Sequence, residues 1–369
     1  MISFQLTDEQ MMIRDSLLGF AKEVLAPGAR TIDEIGDVPE AIIRQGWAFG
    51  LIGATIPEEY GGGGERSCMT NAVALEALAG GCTSQAVAIM APGQFVAAIV
   101  DFGTEDQKAG YLPRFTGDAP VASSFAIQES DFDFATEAPR TTARRKGNGW
   151  VLRGEKRMIP LGDRAEHFLV LARDGDGPGF ASVAAFIVPR DADNLVVAPE
   201  SGTQGLKPVP KAKIVLNDVE LPGSARLGGD APIDLTRLVC QARVGAAALA
   251  VGLSRQATDF AIGYARERVA FGEPIGKKQS IAFMLADMHI ECETMRWMVW
   301  KAASLLEHHD PGAAKAALLA QDYVRRKAVK IADDALQIFG GHGFIRDLPL
   351  EMWLRNVRTL TLLDGPVSV

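Results

Sequence analysis

The sequence predicts an α+β fold, mainly α, laid out as helices, then short strands, then helices again. Residues 1–120 show an apolar period of about 3.6. Residues 121–227 change to short β-rich runs bounded by Gly and Pro, and 228–369 return to long helical seams. An N-terminal helical domain, a central β-barrel-like domain and a C-terminal four-helix bundle are therefore expected.

In the first block Thr7-Asp-Glu-Gln10 reads as a capping box, with the Thr and Gln side chains each satisfying a backbone N–H at the helix start. Ile13, Leu17, Phe20 and Val24 continue it as one apolar stripe, expected to stop before Pro27-Gly28. The strand candidates are Val121–Ile127, Trp150–Arg153, His167–Leu171, Val183–Val188 and Lys213–Leu216. Gly147-Asn-Gly149, Asp174-Gly-Asp-Gly-Pro-Gly179 and Pro208-Val-Pro210 supply the turns between them. In the third block Ile281, Leu285, Met288, Cys292, Met295 and Val299 alternate four and three apart, a seam for helix packing. The next helix is expected to open at Asp310-Pro311, with Asp as N-cap, and to run to Gly340.

At 369 residues and 47% hydrophobic, with mean hydropathy near zero, the chain can bury one large core or about two to three smaller ones. No run of 18 or more uncharged apolar residues occurs, and Met1-Ile-Ser-Phe-Gln5 lacks the basic stretch of a signal peptide. A cytoplasmic protein without membrane insertion is expected. Cys68, Cys82, Cys240 and Cys292 have no C-x-x-C spacing and read as buried, reduced thiols. The net charge of −8 argues against a nucleic-acid partner, which needs clustered Lys and Arg. His308-His309-Asp310 reads as a solvated loop and no metal is expected, since adjacent histidines do not easily face one ion. Met295-Arg-Trp-Met-Val-Trp300 reads as core packing. No G-x-G-x-x-G follows a strand and opens a helix, so a Rossmann site is not indicated.

Two C-terminal segments have the chemistry of a dinucleotide site. In Ala265-Arg-Glu-Arg-Val-Ala-Phe-Gly-Glu-Pro-Ile-Gly-Lys-Lys-Gln279, Arg268 sits where a helix breaks at Phe271-Gly272, and its guanidinium can make paired hydrogen bonds to a pyrophosphate. In Ala335-Leu-Gln-Ile-Phe-Gly-Gly-His-Gly-Phe344, the Gln337 amide can both donate and accept, and Gly340 and Gly341 let backbone approach a ligand. Taken singly, a Gly-Gly after a helix is usually a C-cap, and an Arg at a helix end is usually solvated. Their order and spacing, followed by Leu363-Asp-Gly-Pro366, resemble the acyl-CoA dehydrogenase family over almost the whole chain.

The resemblance implies FAD, an acyl-CoA substrate oxidised to the 2-enoyl-CoA, and an electron-transfer flavoprotein or similar acceptor. It also implies a dimer or a homo- or heterotetramer. Arg268, Phe271, Gln279, Gln337, Gly340 and Gly341 would then hold the ADP half of a flavin bound mainly by the neighbouring subunit. Ile56-Pro-Glu-Glu-Tyr-Gly-Gly62 and Gly154-Glu-Lys156 also match, both read as turns. By resemblance the candidate base is Asp364, since the alternative family position holds Thr236 before Arg237. An exposed aspartate in a C-terminal turn is the other reading of Asp364. An Asp here is one methylene, about 1.5 Å, shorter than the family's Glu. A misplacement of about 1 Å can cost on the order of 10²-fold in rate.

The departures cluster on the ring side. The family's Ala-Leu-Thr-Glu-Pro-Gly-Ala-Gly-Ser-Asp is here Ala126-Ile-Gln-Glu-Ser-Asp-Phe-Asp-Phe-Ala135, so Gln128 replaces a flavin-contacting threonine and Phe132 and Phe134 add bulk. Trp-Ile-Thr-Asn is Met158-Ile-Pro-Leu161, and Glu-Gly-Thr is Asp364-Gly-Pro366. Substitutions confined to one half of the site fit a hetero-oligomer whose silent subunit completes a partner's flavin site. Drift in a divergent but active homo-oligomer, and a non-redox CoA-thioester enzyme on the same fold, are the remaining alternatives. The family usually continues beyond this point with a further helix, so either a partner covers that surface or the end is natively open.

Overall fold

The computed structural model describes residues 5–131 and 134–369; Phe132 of the rewritten loop lies outside them. The N-terminal helices are α1 (Asp8–Phe20), α2 (Ala26–Ile35), α3 (Glu40–Trp47), α4 (Leu51–Ala54), α5 (Cys68–Met90), α6 (Pro92–Phe102) and α7 (Glu105–Tyr111). The Thr7 capping box forms with both reciprocal bonds. The helical path does not stop at Pro27. A π-helical turn over Ala21–Leu25 joins α1 to α2, which places Pro27 in the first turn of α2, where no N–H is needed. By length and composition α5 could cross a membrane, but 89% of its most apolar stretch is buried inside the protein.

The central strands are β1 (Ser123–Ala126), β2 (Thr142–Lys146), β3 (Gly149–Pro160), β4 (His167–Arg173), β5 (Val183–Pro189), β6 (Leu195–Pro199) and β7 (Lys211–Leu221). They form one curled sheet in the order β1-β4-β2-β3-β7-β6, with β5 also pairing β4. Along β4 the faces alternate as a two-residue period requires: Leu169 and Leu171 pack towards α6, while Phe168 and Val170 join Trp150, Phe186 and Ile214 on the other face. Gly154-Glu-Lys156 is not a turn but mid-strand in β3, because Gly154 lets that strand pass Thr141, whose Oγ1 would lie 2.6 Å from any Cβ there. The ladder between β3 and β7 slips between Lys156 and Ile159, leaving Met158 at φ +53 in a bulge.

The C-terminal bundle is α8 (Leu235–Glu267), α9 (Gln279–Glu307), α10 (Ala313–Phe339) and α11 (Leu350–Leu360), with a hairpin of β8 (Val269–Ala270) and β9 (Glu273–Pro274) after α8. The α9 seam buries Met288, Cys292, Met295 and Val299, whereas Trp297 remains 44% exposed. α10 begins three residues later than Asp310, because Asp310 closes a turn instead, its Oδ1 accepting from Gly312 N at 2.7 Å. α5 and α10 both pack on α8. Gly252 permits an approach so close that a Cβ there would lie 2.1 Å from Glu76 O. All four cysteines are buried and free, and burial raises each thiol.

Candidate active site

The two groups of predicted site residues lie towards opposite ends of α8 and α10. Arg268 caps the C-terminus of α8 and is exposed; Phe271, at the tip of the β8–β9 hairpin, has φ +53 and is 96% exposed. Gln279 opens α9 beside that hairpin, and Gln337 is exposed in the last turn of α10. Gly340 follows at φ +57, with Gly341 beside it and open space where either Cβ would be. Stacking of Phe339 on Tyr264, centroids 3.8 Å apart, ties the end of α10 to the end of α8. Val269, Phe283 and Phe344 add exposed apolar surface around this end.

Asp364 belongs to the other end. It follows α11 in a tight bend at Gly365, whose φ is +91 and whose Cβ would lie 2.6 Å from Ala242 Cβ. Gln94 Nε2 donates to Gly365 O at 2.8 Å, fixing the bend from α6. The exposed-turn reading is therefore overturned: the Asp364 side chain is only 10% exposed. Arg243 of α8 grips it bidentately, Nε to Oδ1 at 3.0 Å and Nη2 to Oδ2 at 2.9 Å. Gln321 Nε2 donates to Oδ1 at 2.9 Å and Arg325 Nη2 reaches it at 3.4 Å. Thr136 Oγ1 donates to Oδ2. Burial alone would raise this carboxyl, but Arg243, with Thr136 and Gln321, pulls it below its ordinary value.

Facing Asp364 are the rewritten residues of the β domain. Phe125, Ile127, Gln128, Arg157, Met158 and Pro160 close with Leu363–Pro366 around a cleft of about 20 Å3. A cleft of this size holds about one water, and Gln128 Oε1 is buried there without a hydrogen-bond partner among the described residues. Phe134 fills space against the core beneath the sheet.

Two anchors that sequence reasoning did not single out hold this side rigid. Glu129 accepts from Lys156 Nζ at 2.8 Å, from Thr141 N at 3.0 Å and from Arg140 N at 2.7 Å. Burial pushes the Lys156 ammonium down to about 8 against the pull of Glu129. Glu200 accepts from Arg157 Nε and from Met158 N, both at 2.7 Å, pinning the β3 bulge. The matched Gly154-Glu-Lys156 was the available signal for the first anchor; Glu200 had none.

The two ends differ in what they can hold. At the hairpin end, exposed donors, an amide and two glycines fit the ADP half of a dinucleotide approaching from outside. At the Asp364 end the cleft does not fit a three-ring flavin, and the carboxylate has its lone pairs occupied.

Comparison with known proteins agrees with the architecture. Family models for the acyl-CoA dehydrogenase N-terminal, middle and C-terminal domains match residues 7–118, 124–219 and 235–369. The probable acyl-CoA dehydrogenase YngJ of Bacillus subtilis is 34% identical, covering 100% of this chain and 97% of that protein. Butyryl-CoA dehydrogenase from Megasphaera elsdenii superposes with a TM-score of 0.89 at 28% identity, covering 99% of this chain and 96% of that one. The FAD complex of PigA superposes with a TM-score of 0.88 at 25% identity, covering 99% of this chain and 96% of that one. With all three domain models matched in order over nearly its full length, this chain belongs to the acyl-CoA dehydrogenase family, whose oxidoreductase character it shares.

Proposed function

We propose that this chain is a subunit of an FAD-dependent acyl-CoA dehydrogenase and completes the ADP side of a flavin whose ring lies in a partner subunit. The assembly converts an acyl-CoA thioester to the 2-enoyl-CoA and passes electrons to an electron-transfer flavoprotein or similar acceptor. FAD supplies the hydride acceptor. Arg268 binds its pyrophosphate, Gln337 and Gln279 offer amides to the ADP half, Gly340 and Gly341 admit the ligand against backbone, and Phe271 packs across the interface.

One separation carries this reading. Arg243, which touches Asp364, and Glu267, beside Arg268, lie 24 residues apart on one helix, α8, a rise of about 36 Å. In FAD the ring and the nearest phosphorus are joined by only seven bonds, a reach of at most about 10 Å. Arg268 and Asp364 of one chain therefore cannot serve the pyrophosphate and the ring of one flavin. The exposed Arg268 end is left to serve a neighbour's.

The partner best supported is a different acyl-CoA dehydrogenase-like chain rather than a second copy, because Gln128, Met158 and Pro160 close the ring side here. The test is Arg268→Ala in the purified complex. Flavin is expected to leave the complex while the chains stay folded and assembled. Flavin retained at the wild-type level would overturn the assignment.

A further inference from the structure

The contacts around Asp364 reach further than the absence of room for a ring. A carboxylate offers about four lone-pair positions. Asp364 accepts from two Arg243 nitrogens, Gln321, Arg325 and Thr136, so none is left to aim at a substrate proton. Gln321 and Arg325 are four residues apart on α10 and so lie on one face, one turn apart. Gln321 is 5% exposed and occupies the buried stripe that Ala317, Val324, Ala328 and Ile331 otherwise fill. Arg325 also donates to Leu363 O at 3.3 Å, gripping the backbone just before Asp364. Thr136 comes from the β domain, so the same carboxylate ties α8, α10 and the segment after the rewritten loop together.

We propose that Gln321 and Arg325, with Arg243 and Thr136, form a clasp that makes Asp364 a structural anchor instead of a base and keeps this chain's ring-side cleft shut. Gln321 and Arg325 are positioning residues: they act on Asp364 and touch no reacting atom. The proposal rests on the reading above only in taking the cleft as the place of a flavin ring. Release of the α10 pair leaves Asp364 to Arg243 and Thr136, frees the Leu363 carbonyl, and loosens Leu363–Pro366, the C-terminal wall of the cleft, so that the cleft opens.

The test uses riboflavin, which carries the ring and lacks ADP, titrated onto the full-length chain by fluorescence quenching. The double variant Q321A/R325S is expected to bind riboflavin about tenfold or more tightly than wild type, the scale of one charge-assisted contact. Arg325→Lys, which keeps a cationic donor, is expected to behave as wild type. Wild-type affinity equal to that of the double variant overturns the clasp. Should the double variant fail to fold, hydrogen exchange over 362–365, the segment Arg325 grips, decides with Arg325→Ser alone. Faster exchange than in Arg325→Lys supports the clasp, and equal exchange overturns it. Neither result depends on whether Arg268→Ala strips flavin from the complex, so the two claims fail separately.

Discussion

The helices α8 and α10 carry two sets of polar groups, one towards each end, and the sets are in opposite states. At the hairpin end Arg268, Gln337 and Gly340 are exposed and surrounded by exposed apolar side chains. At the other end Arg243, Gln321 and Arg325 converge on Asp364 and satisfy one another. Polar groups left open beside apolar surface mark a place for another molecule. Polar groups that saturate each other in a closed cleft mark structure.

Removing the saturated carboxylate is the strongest challenge to that contrast. Asp364→Ala leaves two partly buried guanidiniums without their carboxylate and is expected to cost about 3 kcal/mol of stability, read as a shift in denaturation midpoint. Turnover of the assembled enzyme should stay within about twofold once the protein is folded, where losing a base would cost on the order of 10²-fold or more. Next in size, Arg268→Ala should weaken flavin retention by about 2 kcal/mol, the worth of a charge-assisted hydrogen bond. It should leave the stability of the single chain unchanged, because Arg268 is exposed.

The acid limb sharpens the same comparison. Asp364 in the folded chain lies below its ordinary value, so its contribution is fully present above the unfolded carboxylate value of about 3.9. That contribution is lost as pH falls through the folded value. The stability gap between wild type and Asp364→Asn should be level above about pH 4 and should close below it, as followed by denaturation across pH. The smallest effect on the chain itself is expected from Phe271→Ser. With the ring 96% exposed, the isolated chain should change by less than about 0.5 kcal/mol, while sedimentation should show weaker assembly.

Much of the architecture was legible because it is written locally. The Thr7 capping box, the α9 seam and the Gly147-Asn-Gly149 turn between β2 and β3 each rest on residues within a few positions of one another. What was missed had weak local signals. β2 is Thr-Ala-Arg-Arg-Lys with three exposed positions, and β6 is half-exposed, so neither shows a continuous apolar run. Pro27 predicted a stop because its missing N–H was charged to the helix interior, whereas a π-turn moves it to a helix start. The hairpin-end residues came from motif order. The clasp could not, since Arg243 and Asp364 are 121 residues apart. Gln321 did leave a trace as a polar residue on an apolar stripe of α10.

The most direct measurement is the visible flavin spectrum and flavin-to-chain ratio of the purified protein, alone and co-expressed with an acyl-CoA dehydrogenase-like partner. The account predicts a colourless chain that acquires flavin only in the complex, with fewer flavins than chains. One flavin for every chain in the protein alone would contradict it and return Asp364 to the role of base.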